Sequence, residues 1–473
     1  MQRLILSFTF IMVMAIAGIL FFQWNGFLSG SAKESVHSKV NQSFTIHHDG
    51  NGFFITQEVQ FLSDKQEEMT IEWPENASNY QCLDESRNDC LSKENGEFYL
   101  KVKSEGNQKL TISYKLKRQT ADGYLLLSEW YPVLTTGIPV KTSINIIEKT
   151  NRDAVWISGY KEWKHEAMDF IDYYSFVGYG SPSDLLLYPG KVNSYEGRKV
   201  RVYSDEKLTY KIMNTEYSDA GFVTVVIDDR LPVHEAENFL IIGRNFQQST
   251  LMLKVKWGLN QQKYTSSYQE SWLKELKASL ILQSPHGSPK ALRVYQELKN
   301  GLTEDQFASF SRLLKNDKSP LIHSQKMDAL LMKATNLTTS FISEITTHTK
   351  KEIPLVLRAS QNILLNGKPL EDGAFIQYHQ NELISFTELL KGAGIEVKYL
   401  QEGVIYVTDG GHSYRFYIDK DYFILNEESY GLLTKPVQKI GSTVYMDVKW
   451  LEKLFHIEID KTSSAIKIQT KET

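Results

Sequence analysis

Ser266-Ser267-Tyr268-Gln269-Glu270-Ser271-Trp272-Leu273-Lys274-Glu275-Leu276-Lys277-Ala278-Ser279-Leu280 is the stretch on which the fold class turns. Tyr268, Trp272, Leu276 and Leu280 recur at every fourth residue and fall on one face of a helix. N-terminal to this stretch, from Phe44 to about Thr224, the pattern is one of strands: short runs such as Phe53-Phe54-Ile55-Thr56 and Leu110-Thr111-Ile112-Ser113-Tyr114 alternate and are broken by turn clusters at Gly50-Asn51-Gly52 and Glu105-Gly106-Asn107. A β-sandwich is the simplest architecture for such a series. On the C-terminal side, Thr303-Glu304-Asp305-Gln306 forms a capping box ahead of Phe307, Phe310, Leu313 and Leu314, and a third helix is expected from Ser324 to about Lys333. Strands followed by helices predict an α+β multidomain protein: a β-sandwich over 40–224, a mainly helical region over 225–349 and, past a linker at Lys350 to Pro354, a C-terminal α+β module over 355–473.

That last module contains an internal repeat. A shift of 62 residues lays Ile384-Ser385-Phe386 on Met446-Asp447-Val448, Leu389 on Leu451, Ile395-Glu396-Val397 on Ile457-Glu458-Ile459, and Val404 and Tyr406 on Ile466 and Ile468, without a gap. Each copy reads as a short helix followed by a β-hairpin, and the register holds in both the helical and the strand period.

The N-terminal 1–32 read differently. Leu4 to Phe22 is nineteen residues without a charge, enough to span a bilayer as a helix, and Arg3 ahead of it would stay inside, so the remainder is expected outside the cytoplasm. Small residues at Leu28-Ser29-Gly30-Ser31-Ala32 leave cleavage of a signal peptide open, which would give a secreted product; the length of the apolar run favours an uncleaved anchor in the cell membrane. The whole chain has 41% hydrophobic residues, 12% aromatic and a net charge of -4, the composition of an ordinary folded protein, and no basic stripe points to nucleic acid. The two cysteines, Cys82 and Cys90, are expected to pair in an exported protein, with free thiols as the alternative.

The opening Asn366-Gly367-Lys368-Pro369-Leu370, Leu383 to Leu390 and Gly394-Ile395-Glu396-Val397 resemble the stalk domain of bacterial envelope proteins named for the N-terminal domain of copper amine oxidases. Ser385 and Asp447 stand where that family carries prolines. The resemblance implies a non-catalytic spacer or binding module, and His379, His412 and His456 lack the spacing of a copper site.

Residues 40 to about 350 resemble a degraded gluzincin of the aminopeptidase N type. Val225 to Ile242, VVIDDRLPVHEAENFLII, is similar to that family's "GAMEN" strand, which places Glu237 and Asn238 at an amine-binding position. Trp257-Gly258 is similar to the aromatic-Gly after the zinc helix, and Trp272-Leu273-Lys274-Glu275 to "WLNEG", which places Glu275 at the third zinc ligand. Glu129-Trp130-Tyr131-Pro132 is similar to the aromatic-Pro run near the end of the family's sandwich. The family's HExxH falls on Leu251-Met252-Leu253-Lys254-Val255, so both histidines and the general base are absent and the resemblance implies no zinc chemistry. Leu253, Val255 and Trp257 moreover alternate with Lys254 and Lys256, a strand pattern.

His165-Glu166 and His234-Glu235 begin like HExxH but have no second histidine four residues on, so they read as loop or strand-edge residues. Trp130, Trp156 and Trp163 with Tyr160 read as sandwich packing rather than a carbohydrate or peptide groove. No G-x-S-x-G and no phosphate-cradling glycine loop is present. The expectation is a catalytically dead, peptidase-like envelope protein without metal or cofactor, held to the membrane through residues 4–22. Its ligand would be a peptide, a protein or cell wall, with Glu237 and Glu275 either a weak amine-recognising pocket or two surface carboxylates. The alternative is a hydrolase of peptide or wall substrates acting through unrecognised residues.

Overall fold

The computed structural model describes residues 38–50, 52–62, 69–102, 108–117, 124–135, 137–207, 221–267, 269–348, 352–462 and 464–470. The apolar run at 4–22 lies outside them, as does Tyr268, and among the described residues no helix is long and apolar enough to cross a membrane. The protein is α+β, its N-terminal part mostly sheet and its helices in the C-terminal half. The chain forms two compact units, one of residues 1–234 with 238–245, the other of 235–237 with 246–473.

In the first unit, strands Ser38–His48 and Gly52–Phe61 pair antiparallel across the turn at Gly50, whose φ of +84° suits glycine. Gly137–Glu148 runs parallel on the other side of Ser38–His48, at the centre of a seven-stranded sheet. Alternate residues point inward, so Phe44, Ile46, Ile55, Val59, Ile112 and Ile144 are buried. The covering sheet is built from Leu91–Glu94, Glu97–Leu100, Met69–Glu72 and Val133–Leu134, and its Met69, Ile71 and Leu100 enter the same core. Trp130, Trp156 and Tyr160 are buried in this unit, whereas Trp163 is 41% exposed. Cys82 and Cys90 form the expected disulfide.

A second kind of strand follows. Val200–Ser204, Val223–Ile227 and Phe239–Ile242 are parallel neighbours and every residue in them is buried, the continuous pattern of parallel strands covered on both faces. This sheet runs through the sequence boundary at 224, so strands assigned to separate regions share hydrogen bonds.

The second unit begins with helix α1, Gln248–Gln261. This corrects the strand pattern expected at Leu253 to Trp257. Lys254 is half-buried rather than turned to solvent, so the alternation of lysines is not an alternation of exposure, and Val255, Trp257, Leu259 and Gln261 are buried around the helix. Helices α2 (Trp272–Leu282), α3 (Pro289–Gly301), α4 (Glu304–Asn316), α5 (Ser324–Thr335) and α6 (Phe341–Thr347) bury Trp272, Leu276, Leu280, Leu298, Phe310, Leu314 and Leu331 in one core. The capping box at Thr303 and Gln306 is formed as the sequence indicates. Glu270 accepts from the backbone N–H and hydroxyl of Ser324 at 2.8 and 2.7 Å, fixing the start of α5.

Leu355 and Leu357 belong to this helical core, and Gln377 hydrogen-bonds Gln306, so the segment after the expected linker is packed. The repeat beyond it is visible in the backbone. Strand Asn381–Ser385, helix α7 (Phe386–Gly392) and strands Glu396–Gln401 and Val404–Asp409 have counterparts in Thr443–Asp447, helix α8 (Val448–Phe455), Ile457–Lys461 and Ala465–Thr470. The two copies meet strand to strand with Ile384 opposite Met446, flanked by Leu383 opposite Asp447 and Ser385 opposite Tyr445. Equivalent positions face each other, so a local twofold relates the copies, and Leu389 and Leu451 are both fully buried beneath the pair.

Candidate functional site

Of the segments that carry the peptidase resemblance, Glu235 to Glu237, helix α1 and the start of α2 lie together in the second unit. Lys254 on α1 donates its ammonium to Glu235, and Lys274 in the first turn of α2 donates to Glu237. The side chains of Glu235 and Glu237 are 24% and 30% exposed, so each ammonium meets its carboxylate at the edge of solvent. Burial lowers the pKa of Lys254.

Glu275, the next residue along α2, turns inward. Its Oε2 accepts from the hydroxyl of Ser288 at 2.6 Å and from the Ser288 backbone N–H at 2.8 Å. Burial raises its carboxyl pKa and the nearby Glu237 adds to the rise, against the opposing pull of Ser288 and Lys274. Ser288 is the N-cap of α3, with Pro289 at its first position, so Glu275 anchors the start of that helix. Trp257, fully buried on α1, donates its indole N–H to the Glu275 carbonyl at 3.3 Å. Gly287 makes this fit possible: its φ is +109°, and a Cβ there would stand 2.8 Å from Glu275 Oε2 and 3.1 Å from Trp257 Cζ2. Gly287→Ala is therefore expected to lower stability by about 1–3 kcal/mol and to shift the Trp257 emission, measured by thermal denaturation followed by fluorescence.

His286 borders the same cluster. Its Nε2 lies 3.2 Å from Ser284 Oγ and its Nδ1 lies 3.8 Å from Glu235 Oε2. Burial, aided by the charge of Lys254, lowers its pKa, which favours a neutral imidazole able to accept a proton from Ser284. The contact to Glu235 exceeds hydrogen-bond length, and that carboxylate is engaged by Lys254.

The structure thus brings Glu237 and Glu275 into one cluster, but neither is a lone surface carboxylate. Lys274 occupies Glu237 and Ser288 occupies Glu275. Asn238 belongs to the first unit, where its Oδ1 accepts from Ser183 Oγ at 3.2 Å and its carbonyl accepts from the Thr224 N–H at 2.9 Å. A Cβ at Gly159 would come 2.5 Å from Asn238 Oδ1, so Asn238 is a packing residue. The Asp184 carboxylate accepts from His234 Nε2 at 2.7 Å, and His165 stacks on Tyr174 with centroids 4.3 Å apart.

A gluzincin zinc ion needs two histidines on one helix face with a carboxylate nearby. Helix α1 offers Leu251 and Val255 at those places, the carboxylates around it already hold lysine or serine, and among the described residues no three His, Cys, Asp or Glu side chains converge on a point. These residues do not fit zinc. Sequence reasoning missed Lys254, Lys274, His286, Gly287 and Ser288, although Ser288-Pro289 is a helix-start signal.

No protein-family model and no curated protein matches the chain. Among solved structures it is similar to M1 zinc metallopeptidases. One, from Deinococcus radiodurans, has a TM-score of 0.43 and 10% identity over 67% of this chain and 95% of that one. A two-domain M1 zinc metallopeptidase bound to L-tryptophan has a TM-score of 0.45 and 10% identity over 67% of this chain and 96% of that one. At these values the likeness says nothing about the site.

Proposed function

We propose that the chain is a membrane-anchored extracytoplasmic protein whose peptidase-like region binds a peptide or protein without zinc-dependent hydrolysis. The duplicated C-terminal module, by its resemblance to envelope stalk domains, would act as spacer or wall contact. The observation that carries this reading is the pairing of Glu235 with Lys254 and of Glu237 with Lys274. A ligand's free amine would have to displace the ammonium of Lys274 to reach Glu237, so recognition rests on other groups of the ligand. A charge already neutralised by a neighbour contributes little to binding a second cation.

A second reading, an extracytoplasmic hydrolase, is favoured by one contact, that of Ser284 Oγ with His286 Nε2 at 3.2 Å. The two readings separate on treatment of the purified full chain with aminoacyl and peptide reporters and a serine-directed fluorophosphonate. The binding reading predicts no turnover and no label. Labelling that disappears in Ser284→Ala would establish the hydrolase instead. Anchoring through residues 4–22 predicts that the chain stays in the membrane pellet after alkaline carbonate extraction; release into the supernatant would argue for cleavage.

A further inference from the structure

We propose that the first unit carries a saccharide-binding groove between the open edges of its two sandwich sheets. Strand Ala77–Asp84 is the outer strand of the seven-stranded sheet and Leu91–Glu94 the outer strand of the four-stranded one. The Cys82–Cys90 disulfide, together with the Cys90 N–H donating to the Cys82 carbonyl at 3.1 Å, fixes these edges side by side. Between them lies a cavity of ≈ 220 Å³ lined by Tyr80, Gln81, Asp89, Ser92, Lys93 and Phe98.

One wall is aromatic and pre-ordered. Tyr80 packs on Trp73 with centroids 4.5 Å apart and on Phe98 at 5.4 Å, while 40% of Tyr80 stays exposed. The rim is polar. Lys93 lies over the Phe98 ring at 4.8 Å with no carboxylate partner among the described residues, and Asp89 uses one carboxylate oxygen to accept from the Leu91 N–H at 2.9 Å.

A sugar ring matches this combination, because it offers an apolar face of C–H bonds to an aromatic surface and a girdle of hydroxyls to amide, ammonium and carboxylate groups. A purely apolar ligand would leave the rim unpaired. A peptide adding as a strand would need a regular edge, but the outer strand has a register break between Ser78 and Gln81, with Asn79 at φ 57°, and such bulges block edge pairing. The volume is below the range of roughly 300–1,000 Å³ for drug-sized ligands, so the groove takes one ring of a longer chain.

The test uses the full chain in a sugar-free detergent, titrated with chitotetraose and cellotetraose by calorimetry and tryptophan fluorescence. The proposal predicts saturable binding of at least one of them, weakened about tenfold or more in Tyr80→Ala and retained in Tyr80→Phe, which keeps the ring face. Cosedimentation with insoluble chitin or cellulose then separates a polymer surface from a free oligosaccharide as the source; either result supports the groove. Absence of binding by both tetrasaccharides, or equal binding by Tyr80→Ala, would overturn it. The outcome is independent of the reporter and zinc assays.

Discussion

Glu148→Ala is expected to destabilise the N-terminal sandwich by about 3–5 kcal/mol in chemical denaturation, since it strips the partners of a buried polar network in one step. Glu148 and His48 have no appreciable exposure, with Nδ1 of His48 2.6 Å from Glu148 Oε2. The same carboxylate accepts from the Trp156 indole at 3.0 Å and from the backbone N–H groups of Thr150 and Asn151 at 2.8 and 2.9 Å. It joins the ends of two central strands to the buried Trp156. Burial pushes the Glu148 carboxyl up, but the hydrogen bonds from His48, Asn151 and Thr150 outweigh it and the net shift is downward. A carboxyl depressed in the folded state contributes stability that is present above its ordinary value of 4.5 and is lost as pH falls through its folded value. Glu148→Gln should therefore flatten the acid limb of the stability profile. An unchanged acid limb in that variant would mean that other carboxylates control acid unfolding.

The second large effect is an asymmetry in the helical core. Lys277 on α2 has no exposed side-chain surface, and its ammonium lies 3.0 Å from Asp317 and 3.8 Å from the centre of the Tyr264 ring. Asp317, at the end of α4, is also held by Lys326 of α5 at 2.7 Å, so one carboxylate ties three helices. Asp317→Ala leaves a buried ammonium facing only an aromatic ring and is expected to cost about 3–5 kcal/mol. Lys277→Met keeps the volume, removes the buried charge and leaves Asp317 paired with Lys326, so its cost should be much smaller. Equal losses in the two variants, measured by urea denaturation, would contradict this assignment.

Much of the fold was legible because its signals are local. The recurrence of Trp272, Leu276 and Leu280, the capping box at Thr303 and Gln306, and the gap-free repeat each depend on residues close in sequence or on a fixed offset, and each is found as a formed element. Helix α1 was misread because Lys254 pairs with a residue 19 positions away, a tertiary contact that local alternation does not encode. The parallel sheet across residue 224 was hidden for a similar reason, since continuous apolar runs such as Val223 to Ile227 do not declare their neighbours.

The candidate site follows the same division. Glu237 and Glu275 were found by their sequence setting, but what each carboxylate does depends on Lys274, 37 residues from Glu237, and on Ser288, 13 residues from Glu275. Trp130, Trp156 and Tyr160, read as sandwich packing, are core residues, whereas Trp163, read the same way, is 41% exposed. Tyr80, which carried no motif, is the exposed aromatic residue of the groove, with the partly buried Trp73 packed against it.

The most direct test of the central claim is the metal content of the full chain, measured by elemental analysis after dialysis against micromolar zinc and repeated with the Lys254→Ala and Lys274→Ala variants. With lysines holding Glu235 and Glu237 and no histidine on the facing turn of α1, the wild-type chain is predicted to retain far less than one zinc per molecule. Stoichiometric zinc in the wild type, lost on mutation of Glu235, Glu237 or Glu275, would contradict the account and place a metal centre in this cluster.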